Sequence, residues 1–422
     1  MNRMLLTFAL SVCLQIPALL FAQATPLSLS ECLDRALQHS YALNSYEFNV
    51  QAAQAAQQAA TSQYYPHFSA ELSHNQLLFS SFNYRQQAGM AVADWSAGDW
   101  LKKTARASAK QVDVETADKQ IVLLDVVRRV ASLYLGILRS QQETNLLEQR
   151  QQVLEAHQQV AEALWQSGAR TELDVMQTRT AINMSAERYN AQQAETHKLY
   201  AALSRLLDLP TGAQPELQEM PSQIIDIVPD SIQAALAQNP ALQALQFREQ
   251  KQNLRLREVQ ASKWPHVQMY GGYVEDGDPT AEGNYWQVGV GLQVPLFRWG
   301  EAKFRGQEIE ATIRELHSQR AQAEREMHIQ LAQLTLELNQ LRANYHLQQE
   351  RLRITQRTQQ IAAANYQAGL VSNLEYLDAQ EENMATQVTL NETRLFYAMR
   401  LIDDYALTNQ LDYIKRLQEK ER

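Results

Sequence analysis

Apolar positions along the chain follow two different periods, and the places where the period changes divide it. From about Gly98 to Trp165 there is no proline and one glycine, Gly136. The stripe Val126, Val130, Leu133, Ile137, Thr144, Leu147, Leu154 and Ala161 steps by three and four or by multiples of seven. At a rise of 1.5 Å per residue this predicts a helical rod ~100 Å long. A second breaker-poor stretch, from about Glu301 to Tyr366, carries Leu331, Leu334, Leu338, Leu341, Tyr345 and Leu352. Both stripes are heptad-like, so these helices pack side by side in the manner of a coiled coil.

Each rod ends at a related phrase, with Gly168-Ala169-Arg170-Thr171 in one and Gly369-Leu370-Val371-Ser372 in the other. Gly168 and Gly369 suit the left-handed position that closes a helix, and Thr171 and Ser372 suit the cap that opens the next. Two helical hairpins are therefore expected, over about 98–208 and 300–406. An earlier helix precedes each, from Ser30 to Gln63 and from Asp230 to Lys263.

Between the early helix and the rod the period falls to two. Trp286, Val288, Val290, Leu292 and Val294 alternate with Gln287, Gly289, Gly291 and Gln293, after Val267, Met269, Gly271 and Tyr273 alternate with His266, Gln268, Tyr270 and Gly272. The turn-rich run Glu275 to Pro279 joins them. The first copy matches less cleanly, with Phe68, Ala70 and Leu72 against Ser69, Glu71 and Ser73, then Ala88, Met90 and Val92 against Gln87, Gly89 and Ala91. Strand hairpins are expected over about 67–94 and 266–297. One apolar face and one small or polar face is what a membrane barrel requires. Four strands cannot close around a lumen, and open edges are not tolerated in hydrocarbon, so several copies must contribute. A trimer with twelve strands or a dimer with eight would satisfy this.

The two halves repeat. Tyr65-Pro66-His67 returns as Trp264-Pro265-His266 at an offset of 199, and the glycine phrase returns at 201. Constant order and spacing over separate landmarks mean duplication of a whole unit. The units run over 25–209 and 230–407, with a proline-rich linker at 210–229 and a C-terminal tail at 408–422. The linker and tail are expected to lie together around the middle of the helices.

Composition narrows the setting. Residues 1–24 have a charged start, an apolar centre and an Ala22-Gln23-Ala24 end, which reads as a secretory signal; a lipidated Cys13 is the rival reading. Removing the signal leaves Cys32 as the only thiol, so no intrachain disulfide is possible. No later segment has the ~20 uninterrupted apolar residues of a membrane-spanning helix, and the mean hydropathy is -0.42. A net charge of -9 without a basic tract gives no footprint for nucleic acid. The nine histidines lack metal-ligand spacing, no nucleophile has a plausible base, and Gly289-Val290-Gly291 lacks the third glycine of a dinucleotide loop. No enzyme, no metal and no cofactor is expected.

Three segments resemble the TolC-type outer-membrane efflux proteins: Tyr366 to Ser372, Leu374-Glu375-Tyr376-Leu377-Asp378-Ala379, and Val294-Pro295-Leu296-Phe297-Arg298-Trp299-Gly300. The resemblance extends over the duplicated pattern. It implies a mainly α protein with membrane β: a homotrimer whose four strands per chain form a twelve-stranded outer-membrane barrel, continued by a periplasmic α-helical coiled-coil tunnel. A periplasmic adaptor (membrane fusion) protein and an inner-membrane transporter would dock on its lower end, and outer-membrane lipid would surround the barrel. The implied function is the passive exit channel of a tripartite efflux or type I secretion system. The alternative is a periplasmic helical-hairpin structural or adaptor protein without a barrel, which leaves the four amphipathic strands unexplained.

By the same resemblance Glu375 and Asp378 form acidic rings at the pore entrance; spacing of three puts both on one helix face. The plainer alternative is a pair of solvated surface acids. Tyr366 and Asp174 are the implied tip latch. The family's Arg two positions after the second glycine is replaced by Val371, while Arg170 occupies that place in the first copy, so one latch is missing or moved. Gly168, Ala169, Gly369 and Leu370 are the implied adaptor-docking tip. The cargo depends on the partner pump.

Overall fold

A computed structural model of the protein describes residues 26–65, 67–78, 83–94, 104–229, 233–276 and 285–418. The expected signal segment, Cys13, the run Trp95-Ser96-Ala97-Gly98 and most of the Glu275 to Pro279 turn lie outside these residues. In chain order the elements are α1 (Leu29–His39), α2 (Tyr41–Ser62), β1 (His67–Leu78), β2 (Asn83–Asp94), α3 (Thr104–Gln166) and α4 (Glu172–Leu206). After short 3-10 turns at Ser222–Asp226 and Gln233–Gln238 come α5 (Pro240–Ala261), β3 (His266–Asp276), β4 (Tyr285–Gln293), α6 (Glu301–Gln367), α7 (Asn373–Leu407) and α8 (Leu411–Arg416). The second half thus repeats the order of the first.

The two early helices are each broken where the sequence suggests one continuous run. Ser40 is extended at φ -73°, ψ 108°, and its hydroxyl accepts from Leu43 N, so one helix ends and another is capped at the same residue. In the second copy Asn239 caps through Ala241 N at 2.9 Å and Pro240 takes the first helical position, where its missing N–H costs nothing.

The long helices obey their stripes. Leu147, Leu154 and Ala161 of α3 are buried at seven-residue steps, as are Leu331, Leu338 and Tyr345 of α6. Each rod packs along its following helix, and α3 also contacts α5 and α7, so the halves interlock along their length. The largest core sits midway. There α1 (Leu29, Leu33), α3 (Tyr134, Ile137), α7 (Leu401, Ile402), the linker (Met220, Ile224) and the tail (Ile414, Leu417) close on one another. One hydroxyl organises this level. Tyr134 Oη lies 2.6 Å from the Gln218 carbonyl and 3.0 Å from the Leu27 carbonyl, and accepts from Gln418 Nε2 at 2.9 Å. Linker, N-terminal segment and tail are thereby tied to α3.

The strands form one antiparallel sheet in the order β1-β2-β3-β4. In the β3–β4 pair, Val267, Met269, Gly271 and Tyr273 stand opposite Leu292, Val290, Val288 and Trp286. This is the face the alternation assigns as apolar. It is open: Trp286 is 77% exposed and Val288 85%. On the other face Tyr270 is paired with Gly289, and its ring lies across that glycine. A methyl group on Gly289 would stand 2.8 Å from Tyr270 Cε2, and closer still to Cζ. The first hairpin differs. Its register sets Phe68, Ala70 and Leu72 opposite Ala93, Ala91 and Gly89, while Met90 pairs with Glu71 and Val92 with Ser69. The apolar sets of its two strands, Phe68, Ala70 and Leu72 on one and Ala88, Met90 and Val92 on the other, therefore fall at alternate registers and do not stand opposite each other as the sequence pattern suggests. Strand β4 ends at Gln293, short of the expected 297, because Pro295 has no N–H to give a ladder. Among the described residues no helix is long and apolar enough to cross a membrane.

Candidate functional site

Each helical hairpin turns within a few residues, and the two turns are built alike. Gly168 has φ +76° and Gly369 φ +80°. Ala169 N donates to Leu164 O at 2.9 Å, and Leu370 N donates to Asn365 O at 2.8 Å, which satisfies carbonyls the helix end would leave bare. Ala169 is exposed, and Leu370 and Leu374 present 74% and 57% of their surface, so the turns offer apolar groups to solvent. Ser372 opens α7 with a capping box: its hydroxyl accepts from Glu375 N, while the Glu375 carboxylate accepts from Ser372 N at 2.7 Å and from its hydroxyl at 2.9 Å. These bonds hold the Glu375 carboxyl below its usual range. Glu375 is thus folded back on the helix start, whereas Asp378, one turn on, is exposed without such a tie.

Between the turns the residues that the resemblance implies as a latch come together. Tyr366 Oη donates to Asp174 Oδ2 at 3.3 Å. Arg170, from the first turn, reaches over to the second, where Nη2 lies 3.0 Å from Tyr366 O and 2.6 Å from Val371 O. Its guanidinium carbon sits 4.6 Å from the centre of the Tyr366 ring. The arginine absent at position 371 is therefore matched by one that crosses from the other hairpin to the carbonyl of that same residue. Burial, then the Asp174 carboxylate, push the Tyr366 phenol up to about 12, so it stays a donor.

Behind Tyr366 lies a layer that sequence reasoning missed. His157 of α3 is buried, stacked on Tyr376 at 3.8 Å and tilted against Tyr366 at 4.7 Å. Its Nε2 is 2.8 Å from Asn373 Oδ1, and since an amide oxygen only accepts, Nε2 carries the proton. Asn373 Nδ2 in turn donates to Asp174 O and to Gln177 Oε1, both at 3.1 Å. Desolvation is the chief cause that pulls the His157 pKa below its usual value, with the Asn373 bond and the Asp174 charge opposing. Further up, Gln380 Nε2 donates to Tyr376 Oη at 2.8 Å, and Gln359 Nε2 to Gln380 Oε1 at 2.9 Å.

A signal for this layer does exist in the chain. The α3 stripe runs Leu147, Arg150, Leu154, His157, Ala161 in steps of three and four. Polar residues at core positions of a coiled coil set register at a cost in stability, and they mark where packing gives way to hydrogen bonding. What the arrangement can do is hold two hairpins together through polar contacts that water can replace. Among the described residues no group of His, Cys, Asp and Glu is gathered to hold a metal ion.

The outer membrane efflux protein family model matches residues 32–208 and again 231–408. No curated protein matches the sequence. Among solved structures, CusC is similar at 20% identity and TM-score 0.80, over 90% of this chain and 91% of that one. The CmeC outer membrane channel of Campylobacter jejuni is 18% identical, with TM-score 0.75, over 93% and 89%. The MtrE outer membrane channel of Neisseria gonorrhoeae, in its open state, is 16% identical, with TM-score 0.77, over 91% and 89%. At such identities these likenesses speak for the fold.

Proposed function

The chain belongs to the outer membrane efflux protein family, and from that premise we propose that it is the outer-membrane exit duct of a tripartite efflux or type I secretion system. In this reading three copies pool their sheets into a twelve-stranded barrel in the outer membrane, and their helices continue the tube across the periplasm. A periplasmic adaptor and an inner-membrane transporter dock at the two turns and supply the energy. The observation that carries the reading is the sheet itself. It exposes Trp286, Val288, Val290 and Leu292 on one face, and its outer strands β1 and β4 each have one neighbour among the described residues. Lipid would cover that face, and edge pairing between copies would satisfy the open backbone.

A second exposed stripe supports assembly lower down. Ile329, Leu336, Leu347, Ile354 and Ile361 of α6 are between 47% and 70% exposed and mostly seven residues apart. Such a row is a coiled-coil seam waiting for a neighbour, and a second copy of the chain is the neighbour proposed. At the tip, Tyr366, Asp174 and Arg170 are the latch, Glu375 and Asp378 would make acidic rings that favour cations at the mouth, and Gly168, Ala169, Gly369 and Leu370 would meet the adaptor.

Fractionation and planar-bilayer recording test this. A detergent-resistant trimer in the outer-membrane fraction that forms conducting channels is expected. A soluble periplasmic monomer would reject the proposal.

A further inference from the structure

We propose that Glu381 is a second closure point for the tip, a carboxylate on α7 that holds both helices of the first hairpin; this rests on the channel reading above. Glu381 gives one oxygen to each of those helices. Its Oε2 pairs with Arg150 Nη1 of α3, and its Oε1 lies 2.7 Å from Arg188 Nη1 of α4. Arg150 is one of the two polar residues in the Leu147 to Ala161 part of the α3 stripe. Only 11% of its side chain is exposed, its Nη1 also lies 3.6 Å from Met384 Sδ, and its Nε is buried without a partner. The clamp stands nine residues beyond the Ser372 cap, ~13 Å along the helix axis, so it forms a layer distinct from the Tyr366, Asp174 and Arg170 contacts.

Burial of Arg150 decides why this acid matters. An ion pair between two wetted side chains contributes little. The guanidinium of Arg150 is different: Glu381 and Arg188 are 44% and 50% exposed, but only 11% of Arg150 is, so taking the carboxylate away leaves Arg150 with little water to compensate its charge. When the hairpins part, Arg150 gains water and no longer needs Glu381. Removing the carboxylate therefore penalises the closed arrangement and leaves the open one unaffected. The Arg188 contact adds the second helix, so that α3 and α4 are released from α7 together.

The test uses full-length trimers in planar bilayers, with their melting in detergent followed in parallel. In Glu381→Gln the ratio of open to closed time should rise about threefold to tenfold. The charge exchange Glu381→Arg with Arg150→Glu and Arg188→Glu should restore closure. Where Glu381→Gln does not assemble, Arg188→Gln, which keeps the Arg150 pair, should give a smaller rise in the same direction. The clamp is overturned if Glu381→Gln stays as closed as the parent while Arg170→Ala or Tyr366→Phe opens. It is equally overturned if the exchanged triple variant is as open as Glu381→Gln. Trimers that conduct in none of these variants overturn the channel reading, and the clamp with it.

Discussion

Glu375 serves the fold as well as any pore. Its carboxylate closes the capping box at Ser372, while Asp378 has no such duty, so the two acids separate under mutation. Asp378→Asn is expected to weaken cation block in bilayers without moving the melting temperature. Glu375→Gln should change both. Because the Glu375 pKa is lowered by the cap, its contribution is present above the usual carboxylate value and fades as pH falls through the lowered one. His157 works in the opposite charge sense but with the same direction in pH. Burial lowers its pKa below 6.5, so the unfolded chain binds the proton more readily, and stability is lost as pH drops from about 6.5 towards the folded value. Melting of the parent and of His157→Gln should converge as the medium is acidified below about 6.5, the parent losing more; parallel curves would show that the ring does not titrate there. The latch pair was legible only through the resemblance to the efflux-protein family, which implies Tyr366 before the second glycine and Asp174 after the first. The sequence hid His157 and Arg150, because a search for apolar periodicity passes over polar residues at the same phase.

At the scale of elements, the helices change character along their length. Midway, α3 and α7 meet through Tyr134, Ile137, Leu401 and Ile402; towards the turns they meet through His157 with Asn373 and Arg150 with Glu381. Apolar burial is roughly proportional to area and indifferent to small displacements, whereas a hydrogen-bonded layer is either made or exchanged for water. In the proposed duct, the end at the turns would thus be the one that opens while the middle stays shut. Tyr134→Phe probes the middle. It removes the donor held by the Leu27 and Gln218 carbonyls and should cost ~1–3 kcal/mol, read as a lower melting temperature and faster proteolysis of the 408–418 tail. Helix and strand types were readable from their periods, and the turns from glycine. The breaks at Ser40 and Asn239 were less so, since a cap is a local hydrogen bond rather than a change of pattern. The first hairpin's register was illegible for a different reason: alternation places residues within one strand but does not say which residue of the next strand stands opposite.

At the scale of the whole molecule, the proposed assembly rests on surfaces that one chain leaves exposed. A sheet with an exposed apolar face, edge strands β1 and β4 with one neighbour each among the described residues, and an apolar row on α6 gives the chain a surface suited to further copies. Leu336→Glu with Ile354→Glu should leave the helical hairpins folded, as judged by circular dichroism, yet shift the detergent-solubilised protein from trimer to monomer in light scattering. A trimer of unchanged mass would mean that this row faces something else.

In the proposed barrel, the contact between Tyr270 and Gly289 would bear on the width of the bore. The ring can lie flat along the wall only because its cross-strand neighbour has no side chain. Alanine at 289 would meet the far end of a flexible side chain, so the backbone could hold while the ring swung away from the sheet. Three such rings, one per copy, would project into the duct like spokes. The variant should assemble normally and pass less current, and its loss of throughput should grow with the size of the solute, making one methyl group into a sieve.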